Sequence, residues 1–517
     1  MDGFKALTPK ERTKLYNEMK DYSINCHNPS PGYRTYIPKK GKKKLRPLGI
    51  PTIKDRVYQN IAKLALEPQW ESIFEPTSYG FRPKRSAHDA IADIFVKTSK
   101  KEKWVFEGDF EGCFDNLNHQ HILEKVEKFP AKLLINKWLK AGFLDNEVFN
   151  KTDKGTPQGG IISPLLANIA LHGMEKELGI NYKRYSNGYH QIYPVTGFGI
   201  VRYADDFVIV CNTKELAETM FEKLSPYLKL RGIKLSDEKT KISSTNEGFD
   251  FLGFNIRRYQ TNQGEKLFIK PSKDNIQKFK DDIKNICGNS RKLDTDSLIR
   301  ILNSKIRGWG NYYRHVVSKR TFSNLDSYTW KRTFLTTKRE YNKHNILNMV
   351  KRYYKPDRTG VSKSKWLFTS PISGEQLTRM DWIPITRHVK ILYKNSPFDK
   401  NLETYYHDRD IREFDANNPL SKRKIAKKQY YNCTMCGHSL ANNKEGLETH
   451  HIVPKAQGGK DSYANLKLVH ISCHIDYHKK YPVKGSQPTN RELRNDREER
   501  WKSRYFREYY MRILPTI

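Results

Sequence analysis

Two adjacent aspartates, Asp205 and Asp206, stand directly before an apolar run in the stretch RYADDFVIV at residues 202–210. The apolar residues favour a buried β-strand, whereas unpaired carboxylates resist burial. A third acid, Asp109, follows another strand-like segment at 104–106. If folding brings these strand ends together, the three carboxylates form a site for two Mg²⁺ ions about 4 Å apart. The Asp-Asp pair taken alone is more typical of an ordinary turn.

The composition predicts a nucleic-acid partner. Among 517 residues, lysine and arginine number 94 against 57 acidic residues, which gives a formal net charge of +37. A surplus of this size attracts polyanions over a long range. A membrane is disfavoured, because no apolar run approaches the ~20 residues that span one, and no signal peptide opens the chain. We expect the protein in a bacterial cytoplasm or nucleoid, or in an organelle, with its oligomeric state left open.

The pattern along the chain predicts several α+β domains, because 517 residues exceed one ordinary core. A lysine cluster at 39–44 precedes a region, from about 46 to 260, in which helical stretches alternate with short apolar strands. Helical spacing then continues to about residue 355 without strand signals. Residues 356–430 are irregular and basic, 431–480 are rich in cysteine and histidine, and the tail at 485–517 is charged and aromatic.

Seven blocks of residues between 46 and 254 occur in the order typical of one family, and together they resemble group II intron reverse transcriptases. The blocks lie at 46–56, 79–83 with 86–88, 109–119, 155–160 with 163–168, 203–206, 232–240 and 251–254. The stretch KIRGWGNYY at 305–313 resembles the maturase, or thumb, domain of the same family. The resemblance implies a right-hand polymerase with fingers and palm, followed by a helical thumb that binds RNA. Without it, aromatic residues at helical spacing would more often be plain core.

The resemblance also implies a polymerase centre with named residues. Asp109, Asp205 and Asp206 would hold two Mg²⁺ ions, and deoxynucleoside triphosphates (dNTPs) would be the substrates. Phe114, five positions after Asp109, would exclude a ribose 2′-hydroxyl, because a ring under the sugar leaves no room for another oxygen. An ordinary core phenylalanine is the alternative for Phe114.

Further polar residues would meet the substrates. Gln158, in a Pro-Gln-Gly turn, would contact the templating strand or the incoming nucleotide. Arg46 and Arg56 would grip the triphosphate, since a guanidinium group forms a fork that fits phosphate oxygens. An ordinary surface charge is the alternative for either arginine.

A cysteine and histidine unit near the end of the chain predicts a zinc site. Cys433 and Cys436 are separated by two residues, and so are His470 and Cys473. Three cysteines and one histidine with this spacing close a tetrahedral Zn²⁺ site. We expect the zinc to be structural, because it compensates for a core too small to fold alone.

The insertion between these two pairs resembles the HNH endonuclease family, whose ββα-metal unit carries His-His, Asn and Cys-His in this order. The resemblance implies that His451 is the general base that deprotonates water. His450 and His474 would hold one divalent cation, with His478 as a further candidate, and Asn465 would orient His451 through a hydrogen bond. A structural zinc ribbon that binds DNA and an inactive nuclease are the alternatives.

Together these patterns predict six regions and a multifunctional protein. The regions are a truncated N-terminal fingers region at 1–45, fingers and palm at 46–265, a thumb/maturase domain at 266–355, a DNA-binding segment at 356–430, an HNH domain at 431–482 and a basic, aromatic tail at 483–517. The resemblance implies that the protein binds group II intron RNA, aids its splicing, nicks a double-stranded DNA target and copies the intron into DNA during retrohoming. For the segment at 356–430, the alternative is a solvated linker. For the whole protein, the alternatives are a maturase without polymerase activity and a reverse transcriptase of another kind.

Overall fold

The computed structural model describes most of the chain, which divides into two units. The described residues are 8–21, 24–38, 45–184, 190–192, 195–289, 293–340, 346–358, 362–441 and 446–481. The first unit is Met1–Lys394 and the second is Asn395–Ile517. The lysine cluster at 39–44 and the predicted tail at 483–517 lie outside the described residues. Within the described ranges, no helix combines the length and the apolar character needed to cross a membrane.

The first unit mixes helices with short strands, which confirms the predicted α+β class. Its helices are α1 (Pro9–Asp21), α2 (Ile53–Ile73), α3 (Ala87–Thr98), α4 (Cys113–Asn116), α5 (His119–Lys125), α6 (Lys132–Lys140), α7 (Ser163–Ala170), α8 (Met174–Glu177), α9 (Lys214–Glu218), α10 (Met220–Arg231), α11 (Lys273–Gly288), α12 (Thr295–Tyr313), α13 (Lys319–Glu340) and α14 (Ile346–Tyr353). Its strands are β1 (Gly32–Pro38), β2 (Leu45–Ile50), β3 (Trp104–Asp109), β4 (Phe143–Asp145), β5 (Val148–Asn150), β6 (Tyr182–Arg184), β7 (His190–Ile192), β8 (Phe198–Tyr203), β9 (Asp206–Cys211), β10 (Lys241–Ser244), β11 (Phe249–Phe251), β12 (Phe254–Thr261), β13 (Gly264–Pro271), β14 (Tyr354–Lys355) and β15 (Leu367–Phe368).

The central sheet carries the three predicted acids. Its strand order is β10-β3-β9-β8, and all neighbours are antiparallel. Along β9 the side chains alternate between two hydrophobic cores: Phe207 and Ile209 belong to one core, and Val208 and Val210 belong to the other. Because successive side chains of a strand point to opposite faces, a strand buried on both faces needs an unbroken apolar run. This explains why the apolar residues after Asp206 do not alternate with polar ones.

A second sheet, in the order β2-β1-β4-β5, supports the first motif block at 46–56. The hydroxyl of Thr52 accepts a hydrogen bond from the Asp55 backbone N–H at 3.1 Å, so α2 begins directly after β2. Asp55 is buried, and one of its carboxylate oxygens lies 2.7 Å from Nε2 of His27. A side-chain cap of this kind satisfies a backbone donor that the first turn of a helix leaves free. The block therefore turns from strand to helix at a fixed point.

The helices α11 to α14 lie in the region predicted to be the thumb. The side chain of Asp294 caps α12 by accepting a hydrogen bond from the Ser297 backbone N–H. The helix buries one face at helical spacing, which includes Leu298, Leu302 and Ile306. At its end, the hydroxyl groups of two tyrosines donate hydrogen bonds to the turn between β11 and β12: Tyr312 to Leu252 O at 2.9 Å and Tyr313 to Gly253 O at 3.0 Å. These helices are thus hydrogen-bonded to the middle of the last motif block.

The predicted DNA-binding segment, 356–430, is divided between the two units. Its first part contacts the thumb, where Asp326 of α13 accepts a hydrogen bond from the Asp381 backbone N–H at 2.8 Å. It then contacts α3, where Asp89 accepts a hydrogen bond from the Ile391 backbone N–H at 2.9 Å. The part of the segment that makes these contacts is not a solvated linker. Its binding of DNA stays a prediction.

The second unit contains a two-stranded antiparallel sheet followed by a helix. Its elements are α15 (Glu403–Asn417), α16 (Leu420–Lys428), β16 (Leu447–His451), β17 (Leu466–His470) and α17 (Ile471–Lys480). Its hydrophobic core is small and consists of Phe414, Ile425, Ala426, Cys433, Leu440, Leu468 and Val469. A core of this size stabilises little structure by itself, so an added metal ion would matter for folding.

The packing of the central sheet gives a stability prediction. Gly108 of β3 lies opposite Phe207, and a Cβ atom at Gly108 would lie 2.1 Å from the ring of that phenylalanine. The rings of Phe106 and Phe110 contact Phe207 at centroid distances of 6.2 and 5.0 Å, so it has little room to move. We expect Gly108→Ala to destabilise the first unit by about 1–3 kcal/mol, as overpacking of a core does. Scanning calorimetry would show this as a lower unfolding temperature.

Gly308 provides the matched control for that substitution. It lies within α12, and a Cβ atom there would have no neighbour within 4 Å. Gly308→Ala should keep or raise the unfolding temperature, because alanine stabilises a helix interior by about 0.5–1 kcal/mol relative to glycine. Equal unfolding temperatures for Gly108→Ala and the wild type would contradict the close packing of Phe207 on β3.

Candidate functional site

The strand ends that carry the predicted acids meet at one corner of the central sheet. Asp109, the last residue of β3, pairs with Asp206, the first residue of β9. Tyr203 also pairs with Asp206, so Ala204 and Asp205 form a two-residue hairpin turn. Ala204 has a φ of 57°, a left-handed backbone conformation that tight hairpin turns require. The turn thereby places Asp205 beside the other two acids.

The negative charges at this corner oppose one another. Removal of water, followed by the charges of Asp205 and Asp109, raises the pKa of Asp206 to about 7, although the residue keeps an exposed face. Burial is also the main cause that raises the pKa of Asp205, and Asp109 adds to it. A nearby cation would stabilise the ionised form of these carboxylates and lower their pKa. The corner therefore favours the binding of a cation.

Two basic side chains from other motif blocks reach the acids. Nζ of Lys239 lies 2.6 Å from Oδ1 of Asp109. The charges of Arg46, on β2, and of Lys239 both lower the pKa of Asp205. The sequence predicts a phosphate role for Arg46 but gives none for Lys239. No local pattern could have found this contact, because 130 positions separate Lys239 from Asp109.

The donor set of this corner fits Mg²⁺, since carboxylate oxygens are the ligands that this ion prefers. Among the described residues, two groups hold all their ligand atoms within 4.8 Å of one another, and both lie in the second unit. The three aspartates are therefore spaced more widely than those groups. Because Lys239 forms an ion pair with Asp109, a metal ion at Asp109 would compete with the lysine.

Phe114 and Gln158 lie where three motif blocks meet. The carbonyl of Phe114, in α4, accepts a hydrogen bond from the Thr156 backbone N–H at 2.7 Å, and the carbonyl of Gln158 accepts one from the Gly49 N–H at 2.7 Å. The ring of Phe114 is half-buried and packs edge-on against Phe81 at a centroid distance of 6.2 Å. A cavity of about 390 Å³ is lined by Phe114 and by parts of all three blocks. The role of each side chain stays a prediction.

Arg56 lies in a different setting from Arg46. It is half-buried on α2, and its Nε atom is buried without a hydrogen-bond partner. Burial lowers its pKa. No contact in the described part of the chain links Arg56 to the acids, so the structure brings only Arg46 near them. The triphosphate role of Arg56 stays a prediction.

The predicted zinc ligands come together in the second unit. Ligand atoms of Cys433, Cys436, His470 and Cys473 all lie within 4.8 Å of one another. Nδ1 of His470 lies 3.3 Å from Sγ of Cys436 and 3.8 Å from Sγ of Cys473. Nε2 of His470 lies 3.3 Å from the carbonyl oxygen of Ser439, which assigns the proton to Nε2 and leaves Nδ1 for a metal. The donor set and its arrangement fit a tetrahedral Zn²⁺ ion.

Three histidines form a second group in the same unit. Ligand atoms of His450, His474 and His478 lie within 4.8 Å of one another, so His478, only a further candidate by sequence, belongs to the group. Burial, followed by the charges of His474 and His478, lowers the pKa of His450 to about 4. His450 is therefore neutral near pH 7, as a metal ligand must be. Three imidazoles suit a divalent transition metal.

Glu448 is a neighbour of this group that sequence reasoning missed. One of its carboxylate oxygens lies 2.5 Å from Nδ1 of His474. It precedes His450 by two residues in β16, so both side chains share one face of the strand. That spacing is the signal that could have found it. A carboxylate at Nδ1 leaves Nε2 of His474 as the atom that faces a metal.

The hydrogen bond expected from Asn465 to His451 is not formed. The amide of Asn465 accepts a hydrogen bond from the Val453 N–H at 2.8 Å and donates to the carbonyl oxygens of Val453 and Lys460, each at 3.0 Å. Nε2 of His451 instead lies 2.7 Å from Oδ1 of Asp461. Asn465 fixes the loop that follows His451, and Asp461 contacts the imidazole. The sequence did not indicate that Asp461 contacts His451, because Asp461 is an exposed residue that follows a Gly-Gly-Lys turn.

Three family profiles match this chain in consecutive regions. Residues 37–256 match the family described as reverse transcriptase (RNA-dependent DNA polymerase), which covers the central sheet and its acids. Residues 276–354 match the group II intron, maturase-specific domain, which begins within α11 and extends through α14. Residues 433–480 match the HNH endonuclease family, which covers both metal-ligand groups of the second unit.

Curated proteins with similar sequences include three relatives. Group II intron-encoded protein LtrA of Lactococcus lactis subsp. cremoris is 34% identical over 397 residues, or 60% of this chain and 64% of that protein. Protein YkfC of Escherichia coli (strain K12) is 37% identical over 288 residues, or 48% of this chain and 73% of that protein. The uncharacterized 91 kDa protein in cob intron of Schizosaccharomyces pombe is 30% identical over 381 residues, or 60% of this chain and 46% of that protein. The chain thus spans less than two thirds of LtrA.

Solved structures with some likeness include two telomerases. The apo telomerase of Candida tropicalis, truncated from its C-terminal domain, has a TM-score of 0.34 at 15% identity and covers 44% of this chain and 53% of that one. The telomerase of Candida albicans, with a fragment of telomeric RNA, has a TM-score of 0.36 at 13% identity and covers 63% of this chain and 62% of that one. Scores this low do not establish a shared fold.

The cysteine group gives a prediction about metal content. We expect the full-length chain, purified without chelator, to carry one zinc ion per chain at the group formed by Cys433, Cys436, His470 and Cys473. Cys473→Ser should lose most of this zinc, because a thiolate is a much better zinc ligand than a hydroxyl. Plasma emission spectroscopy of the purified proteins measures the zinc directly.

Cys26→Ser is the control for that measurement. Cys26 is an exposed cysteine of the first unit and belongs to neither ligand group. Its substitution should leave the zinc content unchanged. Equal zinc contents in Cys473→Ser and the wild type would contradict the assignment of the site.

Proposed function

The chain belongs to the family of group II intron-encoded reverse transcriptases and maturases, and on this premise we propose that it copies intron RNA into DNA, aids splicing of that RNA and nicks DNA. The observation that carries the proposal is the meeting of Asp109, Asp205 and Asp206 at one corner of a sheet. The ion pair between Lys239 and Asp109 supports it, because a cationic side chain already lies against one of the acids.

In the polymerase reaction, Asp109, Asp205 and Asp206 would hold two Mg²⁺ ions, which would supply activation of the attacking 3′-hydroxyl and charge stabilisation for the leaving pyrophosphate. The acids would supply the negative charge that attracts divalent cations, and a bound cation would lower the raised pKa of Asp206. Lys239 and Arg46 supply positive charge beside the acids, where the triphosphate of the nucleotide would enter.

Residues around the nearby cavity select and place the nucleotide. Phe114 excludes the 2′-hydroxyl of a ribonucleotide, and its half-buried ring beside the cavity of about 390 Å³ supports this role. Gln158 contacts the template or the nucleotide, and its backbone bond to Gly49 holds its turn against β2. Arg46 and Arg56 bind the triphosphate, with more support for Arg46 because its charge acts on Asp205.

The thumb and the basic segment bind nucleic acid. The partner of the thumb is the group II intron RNA, which the maturase-type helices help to fold for splicing. The partner of the segment at 356–430 is the double-stranded DNA target. A formal net charge of +37 supports both partners, because contacts with phosphates dominate affinity for nucleic acids.

In the nuclease reaction, His451 removes a proton from the water that attacks a phosphodiester of the target DNA. Asp461 holds the imidazole of His451 in place. His450, His474 and His478 would hold one divalent cation, which would supply stabilisation of the charge that develops on the phosphate. The zinc group keeps the unit folded and takes no part in the reaction.

The three activities fit one sequence of events. The protein and its intron RNA bind the DNA target, and the RNA inserts into one strand. The nuclease nicks the other strand, and the polymerase extends the freed 3′ end while it copies the RNA. Both reactions would transfer phosphoryl groups with the help of metal ions, and the three aspartates of the first unit and the three histidines of the second support that chemistry.

A primer-extension assay on an RNA template tests the polymerase. We expect Asp205→Ala to lower the extension rate at least about a hundredfold, because a metal ligand of this kind contributes several kcal/mol to the transition state. Asp281→Ala removes the same charge from an exposed position on α11 and should keep the wild-type rate. Equal rates for Asp205→Ala and Asp281→Ala would exclude the proposed centre.

A nicking assay on double-stranded DNA tests the nuclease. We expect His451→Ala to lower the nicking rate about 10²–10⁴-fold, the usual contribution of a general base. Asp461→Ala should lower it about 10–100-fold, because the imidazole loses its partner. His438→Ala, at an exposed histidine of the same unit, should keep the wild-type rate. Full nicking activity in His451→Ala would contradict the assignment of the base.

A further inference from the structure

The guanidinium group of Arg202 is buried and bonded to the turn that carries Asp205, yet none of the roles above uses it. Arg202 lies in β8, and only 1% of it is exposed to solvent. Its Nη1 donates hydrogen bonds to the carbonyl oxygen of Ala204 at 3.1 Å and to Oδ1 of Asn168 at 3.2 Å. The carbonyl of Ala204 belongs to the peptide bond that joins it to Asp205. Arg202 therefore holds the peptide that enters a predicted metal ligand.

Asn168 continues this contact into a second motif block. It lies in α7, and 1% of it is exposed. While its Oδ1 accepts from Arg202, its Nδ2 donates a hydrogen bond to the carbonyl oxygen of Gly80 at 2.8 Å. A carboxamide can accept and donate at one end, whereas an ionised carboxylate only accepts and an aliphatic side chain does neither. Asparagine is thus suited to link a guanidinium group to a backbone carbonyl.

Gly80 completes the arrangement through its backbone. A Cβ atom at Gly80 would lie 2.2 Å from the backbone nitrogen of Ala204, so only glycine allows the two chains to approach this closely. The residues before it pair with Arg202: the Tyr79 N–H donates to Arg202 O, and the Arg202 N–H donates to Thr77 O, each at 2.9 Å. The segment at 77–80 therefore packs against the turn that carries Asp205, and Arg202 donates a hydrogen bond to the same turn.

We infer that Arg202 and Asn168 are positioning residues of the polymerase centre, which fix the peptide before Asp205 and with it the direction of the Asp205 carboxylate. Ala204 adopts a left-handed backbone conformation that is unfavourable for a residue with a side chain. Without the buried hydrogen bonds, the turn would populate other conformations, in which the carboxylate points elsewhere. The inference rests on the proposed polymerase function and assigns a task to two buried side chains, those of Arg202 and Asn168.

A variant of Asn168 tests the inference in the full-length protein. Asn168→Ala removes both side-chain bonds, and we expect the single-turnover rate of primer extension at saturating dNTP to fall about 10–100-fold, as small misplacements of a reacting group do. The Mg²⁺ concentration for half-maximal rate should rise several-fold, because a misdirected ligand binds metal less well. The affinity for the primer–template duplex should not change.

Asn303→Ala is the matched control. Asn303 is also a buried asparagine, 2% exposed, and its amide also bonds two other groups: it donates to Gln376 O at 3.0 Å and accepts from the Thr378 N–H at 2.7 Å. It lies in α12 of the thumb. Both variants should lower the unfolding temperature to a similar degree, and only Asn168→Ala should shift the Mg²⁺ dependence.

The possible results separate a positioning role from plain stabilisation. If Asn168→Ala lowers the unfolding temperature as Asn303→Ala does but keeps the wild-type rate and Mg²⁺ dependence, the inference is overturned. If Asn168→Ala does not fold, Arg202→Lys provides the same test, because an ammonium group keeps the charge but cannot place donors as the planar guanidinium does. A wild type that extends no primer would refute the proposed polymerase itself, whereas an active wild type with an unaffected Arg202→Lys would refute only the positioning role.

Discussion

Like charges held together at one corner of a sheet are the constraint on which the first unit depends. Antiparallel pairing of β3 and β9 sets Asp109 opposite Asp206, and a tight turn adds Asp205. Removal of water, followed by the charges of Asp205 and Asp109, raises the pKa of Asp206 to about 7. The fold tolerates the repulsion because β9 is anchored in two hydrophobic cores and because Lys239 forms an ion pair with Asp109.

Motif blocks that are far apart in the sequence contact one another in the structure. One set of residues lines the cavity where three motif blocks meet, and it includes Gly49, Phe114 and Pro157. Another set bonds or encloses the turn that carries Asp205, and it consists of Gly80, Asn168 and Arg202. Hydrogen bonds and close packing hold the turn in place although the carboxylates at this corner repel one another.

In the second unit, one helix contributes to both ligand groups. His470 precedes α17 and Cys473 lies in its first turn, and both belong to the cysteine group. His474 and His478 follow in the same helix and belong to the histidine group. A zinc ion bound to the first group would therefore fix the helix that presents ligands of the second. This coupling suits a unit whose hydrophobic core is small.

Sequence patterns alone determined the local parts of this protein: the acids at the strand ends, the α+β class, and the spacing of the cysteines and histidines. These features depend on neighbours within a few residues, where the alternation of strands and the spacing of ligands are fixed by covalent geometry. Only the tertiary structure decided that Lys239 contacts Asp109, that Asn168 links Arg202 to Gly80, and that Asp461 rather than Asn465 contacts His451. Such contacts depend on how whole elements pack, and no local pattern records the position of a distant partner.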